Sequence, residues 1–130
     1  MKVLALDYGA ARTGVAVSDA TGTLARPLTV VERAASGAGL RRLVELVSVE
    51  EPERIVVGLP LTLRGEAGLQ AEETARFVDT LRAAVSVPVV SFDERFTTSI
   101  ASRDPSARAP EDARAAAHLL ESYLAWTDRG

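Results

Sequence analysis

Apolar residues at the start of the chain form short continuous runs that alternate with turns. The runs Val3–Leu6, Gly14–Ser18 and Leu24–Val31 predict three strands, with glycine-containing turns between them. Their connections are too short for a crossover helix, so we expect an antiparallel meander. Pro27 indicates that the third strand lies at an edge of the sheet, because proline has no N–H to donate to a neighbouring strand.

The spacing of apolar residues then changes to a helical period. Apolar residues between Leu40 and Val47 recur at i, i+3, i+4 and i+7, which predicts an amphipathic helix that ends before Pro52. A second helix is expected over Thr74–Val85. A last helix is expected from Pro110 to about Trp126, because proline is favoured in the first helical turn.

Two further apolar runs, Ile55–Leu59 and Val87–Phe92, separate these helices and predict buried strands. Three meandering strands followed by helix–strand–helix–strand–helix predict an α/β fold with a five-stranded mixed sheet. Its last two strands would be joined through parallel crossovers. At 130 residues the chain is expected to form one domain.

Composition narrows the cellular setting. The chain has no cysteine, which excludes disulfides and thiolate metal sites and is typical of a reducing compartment. Its first residues lack a signal peptide, and no apolar run approaches the roughly 20 residues that span a bilayer. We therefore expect a cytoplasmic protein without a membrane partner. The net charge of −3 leaves a nucleic-acid partner open, because most of the excess acids lie in the two middle helices.

Acidic residues occupy three positions that the predicted fold brings to one edge of the sheet. Asp7 closes the first strand, at the carboxyl edge where open α/β sheets bind ligands. Asp93 and Glu94 close the last strand, and one of them should face the same region because side chains alternate. Asp112 shares a helix face with inward apolar residues. Each acid also has an ordinary structural interpretation, as a turn residue, a solvated strand end or a helix-dipole partner.

A cluster of carboxylates needs a counter-ion, because unscreened negative charges a few ångström apart repel strongly. With oxygen ligands alone, the suitable ions are Mg²⁺ or Mn²⁺. Two such ions would bridge a scissile phosphate, activate water and stabilise the leaving oxygen. Asp7, Glu94 and Asp112 are the expected metal ligands, and Asp93 is the alternative to Glu94.

Residues beside the acids are candidates for substrate binding. Glycines permit close backbone approach, although their spacing matches no P-loop. The hydroxyls near residue 97 could donate to phosphate, or could cap a short helix instead. The candidate substrate-binding residues are Gly9, Arg12, Gly58, Pro60, Arg95, Thr97 and Thr98.

Three side chains of the last helix are expected to have structural roles rather than roles in catalysis or nucleic-acid binding. His118 lies well past Asp112 along the helix, so a surface or packing role is favoured over catalysis. Tyr123 and Trp126, at i and i+3, are more typical of a core than of a base-stacking platform.

Taken together, these motifs resemble the YqgF (RuvX-like) family of bacterial proteins. The matching stretches run in family order and cover most of the chain: LALDYGAARTGVAVSD (residues 4–19), ARPL (25–28), IVVGLPLTLRGEAG (55–68), FDERFTT (92–98) and DARAAAHLLESYL (112–124). The resemblance implies a ribonuclease-H-like fold, related to that of the Holliday-junction resolvase RuvC, and a divalent-metal nuclease. Asp7, the Asp93/Glu94 pair and Asp112 match the family's acidic positions.

The resemblance also implies a nucleic-acid partner. Family members are linked to maturation of the 5′ end of the small-subunit ribosomal RNA precursor, and have been proposed as Holliday-junction resolvases. RNA is the favoured substrate, and a homodimer would be needed only for paired cuts in a junction. One departure concerns residues 99–109, which are short and lysine-free, whereas the family's corresponding segment is longer and lysine-rich.

Two other classes of function are compatible with part of the pattern. Actin-like ATPases and sugar kinases also begin with a strand, an aspartate and a glycine turn that cradles phosphate, but they require two such domains. A catalytically silent module that binds ribosome or transcription partners would keep the fold without the chemistry. Acids at all three positions favour the nuclease over both.

Overall fold

The computed structural model describes residues 1–61, 68–94 and 110–128. Within these ranges the chain forms five strands and three helices. In chain order they are β1 (Val3–Asp7), β2 (Arg12–Ser18), β3 (Ala25–Glu32), α1 (Gly37–Glu50), β4 (Arg54–Leu59), α2 (Leu69–Ala84), β5 (Val89–Asp93) and α3 (Glu111–Asp128).

The strands form one mixed sheet in the order β3-β2-β1-β4-β5. β1 pairs antiparallel with β2, and β2 antiparallel with β3, which confirms the predicted meander. β4 pairs parallel with both β1 and β5, which confirms the parallel crossovers. β3 lies at one edge, as Pro27 indicated. The carboxyl ends of β1, β4 and β5 therefore meet at one edge of the sheet.

Side-chain alternation along β1 divides the core into two layers. Leu4 and Leu6 point to the layer that α1 and α2 cover. Val3 and Ala5 point to the other layer, which α3 covers with Leu120 and other apolar residues. A residue's parity along a strand thus decides which helix layer it faces.

Within the described parts of the chain, no helix combines the length and hydropathy that crossing a bilayer requires.

Several element boundaries differ from the predicted ones, the largest shift being that of α2, which begins at Leu69 rather than Thr74. β2 begins two residues earlier than predicted, at Arg12, because Arg12 and the next residue still pair with β3. β5 begins at Val89 rather than Val87, after the proline at position 88. Pro110 precedes α3 instead of starting it, and its carbonyl accepts the first helical hydrogen bond, from Arg114 N–H at 3.0 Å.

Candidate functional site

Asp7 is the last residue of β1 and faces the α3 layer of the sheet. Val3 and Ala5 pack in that layer, so alternation directs the next odd-numbered side chain the same way. The residues before Asp7 in β1 are buried, and Asp7 itself is partly exposed. A carboxylate therefore stands where the packed core opens at the carboxyl edge of the sheet.

Glu94, rather than Asp93, contacts Asp7. Val90 and Phe92 of β5 lie on the α3 side of the sheet, and Glu94 continues that parity directly after the strand. The two side chains are hydrogen-bonded to each other, with the Glu94 carboxyl donating to the Asp7 carboxylate. Asp93 has the opposite parity, is partly buried, and acts on Glu94 through its charge.

Gly58 provides the space that the Glu94 side chain occupies. This glycine is buried in β4, between the strands that end in Asp7 and Asp93. A Cβ atom at position 58 would stand 2.5 Å from Oε1 and 2.9 Å from Cγ of Glu94. The close approach expected at Gly58 is therefore made by a neighbouring side chain of the same protein.

Gly14 provides the space that the backbone of the first turn of α3 occupies. The backbone carbonyl of Asp112 lies directly against Gly14, and a Cβ atom there would overlap it. Because Gly14 pairs with Asp7 across β1 and β2, this contact brings the start of α3 beside the acid. The sequence interpretation treated Gly14 only as the start of a strand. An isolated glycine within a strand is a known sign of close backbone approach, and that sign was available.

Asp112 lies at the rim of the site and pairs with Arg12. Arg12 Nε is 3.3 Å from Asp112 Oδ2, with 65% and 40% of the two side chains exposed. The Asp112 charge nevertheless reaches Asp7 and contributes to raising its pKa. Asp112 is thus the outermost of three carboxyl groups that influence one another.

Crowding changes the protonation of the two inner carboxyl groups. Burial raises the pKa of Glu94 from 4.5 to about 7, helped by the Asp7 charge, the Asp7 hydrogen bond and the Asp93 charge. Burial also raises the pKa of Asp7; the hydrogen bond from Glu94 opposes that shift and the Asp112 charge reinforces it. The pair therefore holds a proton below about pH 7, because two ionised carboxylates this close repel each other.

The donor chemistry of this pair fits a hard divalent cation. Every candidate ligand is a carboxylate oxygen, the type that Mg²⁺ and Mn²⁺ prefer. In residues 1–61, 68–94 and 110–128, no three His, Cys, Asp or Glu side chains stand close enough together to hold a metal ion. The inner pair of Asp7 and Glu94 is formed, whereas Asp112 is held by Arg12.

The turn after β1 surrounds the acids with backbone. A Cβ atom on Gly9 would stand 2.5 Å from the Arg12 carbonyl oxygen, so this turn needs glycine. The fully buried Thr13 closes it, its hydroxyl oxygen lying 3.4 Å from Gly9 N. Pro60 follows β4 at the same edge. Arg95, Thr97, Thr98 and the lysine-free segment at 99–109 lie outside the described residues.

The predictions for the last helix are met in part. His118 is 6% exposed and Tyr123 is 5% exposed, which fits packing roles. Trp126 is 56% exposed, so its assignment to the core is wrong. It lies in the final turns of α3, where the Phe92 ring, 5.8 Å away edge-on, shields only part of it.

Comparison with known proteins identifies relatives over nearly the whole length. The RuvX family, described as Holliday junction resolvase, matches residues 1–126. A Chloroflexus aurantiacus protein named "Putative pre-16S rRNA nuclease" is 43% identical over 94% of this chain and 85% of its own length. A Rubrobacter xylanophilus protein of the same name is 46% identical over 95% of this chain and 91% of its own.

Solved structures share the fold at lower identity. RuvC of T. thermophilus, in complex with a Holliday junction substrate, superposes with a TM-score of 0.69 at 19% identity, over 100% of this chain and 97% of RuvC. The fowlpox virus resolvase, in complex with Holliday junction DNA, gives 0.56 at 12% identity, over 98% and 99%. These likenesses confirm the ribonuclease-H-like fold.

Proposed function

The chain belongs to the RuvX family, and from that premise we propose that it is a divalent-metal-dependent nuclease that hydrolyses phosphodiester bonds in RNA. The observation that carries this proposal is the Asp7–Glu94 pair. Burial at the sheet edge raises the pKa of both carboxyl groups above the ordinary range, and the neighbouring Asp7 raises that of Glu94 further. Perturbed carboxyl groups of this kind mark functional sites more often than structural ones.

The proposed site assigns a role to each acid. Asp7 and Glu94 hold the cation, Mg²⁺ or Mn²⁺, and Asp112 joins them after Arg12 leaves it. When bound, the cation supplies an activated water and stabilises the charge on the phosphate and the leaving oxygen. Burial and Asp7 raise the pKa of Glu94 most, and the Asp93 charge adds to that shift.

Substrate contacts are proposed on the residues around the acids. The freed Arg12 guanidinium pairs with a phosphate oxygen, a geometry that suits arginine. Gly9 and Pro60 are proposed to let the substrate approach the backbone beside the acids, whereas Gly58 makes room for Glu94. Arg95, Thr97 and Thr98 remain proposed phosphate contacts. Two metal ions, rather than one, are the proposed complement, because Asp112 would add a third carboxyl group to the Asp7–Glu94 pair.

RNA is the proposed substrate because relatives at 38–46% identity carry the pre-16S rRNA nuclease name. Maturation of a ribosomal RNA precursor would set the site of action in the bacterial cytoplasm and would not require a dimer. A four-way DNA junction is the second candidate, favoured by the family description and by the fold of junction-bound RuvC. That activity needs two paired cuts and therefore a homodimer.

Cleavage assays on matched substrates test the proposal. Single-stranded RNA, a 5′-extended ribosomal RNA precursor and a four-way DNA junction are incubated with Mg²⁺, Mn²⁺ or a chelator, beside the Asp7→Asn variant. We expect metal-dependent cutting of the precursor by the wild type and none by the variant. Light scattering on the same sample reports the oligomeric state. No cleavage of any substrate, together with tight binding of ATP, would overturn the proposal in favour of a phosphate-binding ATPase module.

A further inference from the structure

A cavity of about 510 Å³ opens at the end of the sheet opposite the acids. It lies between the amino ends of β1 and β4, the turn between β2 and β3, and the last turns of α3. Val3 lines the cavity and Asp7 ends the same strand, so four residue steps, roughly 13 Å, separate the two regions. The cavity volume falls within the roughly 300–1,000 Å³ typical of small-molecule sites.

Arg54 is an unpaired cation in the wall of this cavity. Its side chain is partly buried, and its Nη1 donates to the Tyr123 hydroxyl at 2.8 Å. Among the residues that the structure describes, Arg54 forms no ion pair with a carboxylate. A guanidinium carries five N–H donors, so four are left without a protein acceptor here. A partly buried charge without a counter-ion favours an anionic ligand.

Tyr123 adds a second unused donor at the same place. Its hydroxyl oxygen accepts from Arg54, and its own hydrogen has no acceptor within the described ranges. The side chain is 5% exposed and lines the cavity, so an acceptor can reach the hydroxyl from the cavity side. Two neighbouring donors with no acceptor between them form a recognition site for oxygen atoms of an anion.

The rest of the wall fits a ligand with an organic body. Val3, Leu124 and Ala125 supply apolar surface. The charged groups of the wall are the Met1 ammonium, Arg54 and Glu121. The Met1 ammonium lies 4.0 Å from a Glu53 carboxylate oxygen, so Arg54 is the cation that remains without an ion pair.

We propose that this cavity is a binding site for a small phosphate monoester of nucleotide size, whose phosphate is held by Arg54 and Tyr123. The site is separate from the acidic edge and needs no divalent metal. The proposal therefore stands or falls independently of the nuclease assignment.

Trp126 provides a reporter, since it is the single tryptophan and its ring lies 6.5 Å from that of Tyr123. Its fluorescence is followed in a chelator while inorganic phosphate, adenosine monophosphate or uncharged adenosine is added. We expect saturable changes with the monophosphate, weaker ones with phosphate and none with adenosine. Absence of any saturable change with the monophosphate or with phosphate overturns the proposal.

Variants link the signal to the proposed donors. Arg54→Gln should weaken monophosphate binding about tenfold or more, and Tyr123→Phe about fivefold, because charged donors contribute more than neutral ones. Arg54→Lys, which keeps the charge, should bind better than Arg54→Gln. Arg42→Gln, which removes an arginine from the exposed face of α1, and Asp7→Asn should bind as the wild type does. Circular dichroism verifies that each variant is folded.

A last experiment distinguishes binding of a small phosphate monoester from binding of a nucleic-acid backbone. A short RNA without terminal phosphates presents only diester phosphates, and we expect it to give no Arg54-dependent change in chelator. If Arg54→Gln weakens binding of this RNA as much as that of the monophosphate, Arg54 is a backbone contact and the small-ligand assignment is wrong. Equal monophosphate binding by Arg54→Gln and the wild type would refute the site itself.

Discussion

The two ends of the sheet treat carboxyl groups in opposite ways. At the carboxyl edge, burial and crowding raise the pKa of Asp7 and bring that of Glu94 to about 7. At the amino edge, Asp19 accepts hydrogen bonds from the Thr21 hydroxyl at 2.6 Å and from two backbone N–H groups of the same turn, which lowers its pKa to about 2. The Asp19 carboxylate receives hydrogen bonds that stabilise its charge, whereas burial destabilises the charges of Asp7 and Glu94.

The arginines at the two edges differ in the opposite sense, because the one at the carboxyl edge has a charged partner. At the carboxyl edge Arg12 is paired with Asp112, whereas at the amino edge the one partner of Arg54 among the described residues is the neutral Tyr123 hydroxyl. Each edge therefore holds one group without an oppositely charged partner among the described residues, the Asp7–Glu94 pair at one edge and Arg54 at the other. Asp19 thus has a structural role in its turn, whereas the Asp7–Glu94 pair and Arg54 are the groups proposed to bind ligands. Substitutions at matched positions test this distinction.

The largest effect is expected from Asp7→Asn compared with Asp19→Asn. Loss of the Asp7 charge should lower metal-dependent cleavage at least about 10³-fold, because cation-borne stabilisation is worth several kcal/mol. The same change should leave the metal-free thermal midpoint at pH 8 equal or higher, since it removes a repulsive charge. Asp19→Asn should lower the midpoint and retain cleavage. Cleavage rates and thermal unfolding measure both, and near-normal cleavage by Asp7→Asn would falsify the assignment.

Gly58→Ala compared with Gly68→Ala tests whether the position of Glu94 matters. A Cβ atom at position 58 would displace the Glu94 carboxyl group, so we expect cleavage to fall about 10–100-fold, as when a group that orients a metal ligand is lost. A Cβ at Gly68 meets nothing within 4 Å, so cleavage should be unchanged. Because Glu94 is flexible, unfolding free energy should change by about 1 kcal/mol or less in both. A large loss of stability in Gly58→Ala would assign the glycine to folding instead.

The antiparallel meander, the parallel crossovers and the location of Asp7 at a strand end follow from sequence pattern, and the structure agrees. Short connections allowed only a meander for the first strands, and buried runs separated by helices required parallel crossovers. Both signals are local, so one chain sufficed to reveal them. The helix face shared by Asp112 and apolar residues is likewise periodic, and Ala116, on that face, is fully buried.

The detailed site depends on contacts between distant residues and could not be predicted. Choosing Glu94 over Asp93 required the end of β5, which the predicted strand stopped short of. The fit of Glu94 over Gly58 depends on the register of two parallel strands. The Arg54–Tyr123 contact joins residues 69 positions apart, and no local pattern signals it. Sequence therefore indicated which acids are candidates for the site, and packing decided which of them contact each other.

The pH dependence should differ between activity and stability. Glu94 must lose its proton to bind a cation, so the rate of cleavage at limiting Mn²⁺ should rise as the pH passes 7. Well below pH 7 the rate should change about tenfold for each pH unit. The raised pKa favours the metal-free fold below 4.5, the group's ordinary value, and this contribution is lost as pH rises through about 7. Asp7 acts in the same direction. Added Mn²⁺ should thus raise the thermal midpoint at pH 8 and not at pH 5.

A matching pH series on Glu94→Gln serves as the control. Glutamine does not titrate, so the dependence of the metal-free thermal midpoint on pH between 4.5 and 7 should flatten in this variant. An unchanged slope would show that other groups cause the dependence, and that Glu94 does not carry the shifted proton.

The smallest effect is expected from Arg12→Ala compared with Arg42→Ala. Both arginines are exposed and ion-paired, at 3.3 Å to Asp112 and 3.7 Å to Glu45, so each change should alter unfolding free energy by about 1 kcal/mol or less. Arg12→Ala should raise KM for RNA about fivefold with little change in kcat, since a phosphate contact outside the reacting centre contributes uniform binding. It should also tighten Mn²⁺ binding, because Asp112 loses its competing partner. If Arg12→Ala lowers kcat with KM unchanged, or if Arg42→Ala raises KM equally, Arg12 is not a substrate contact of the acidic edge.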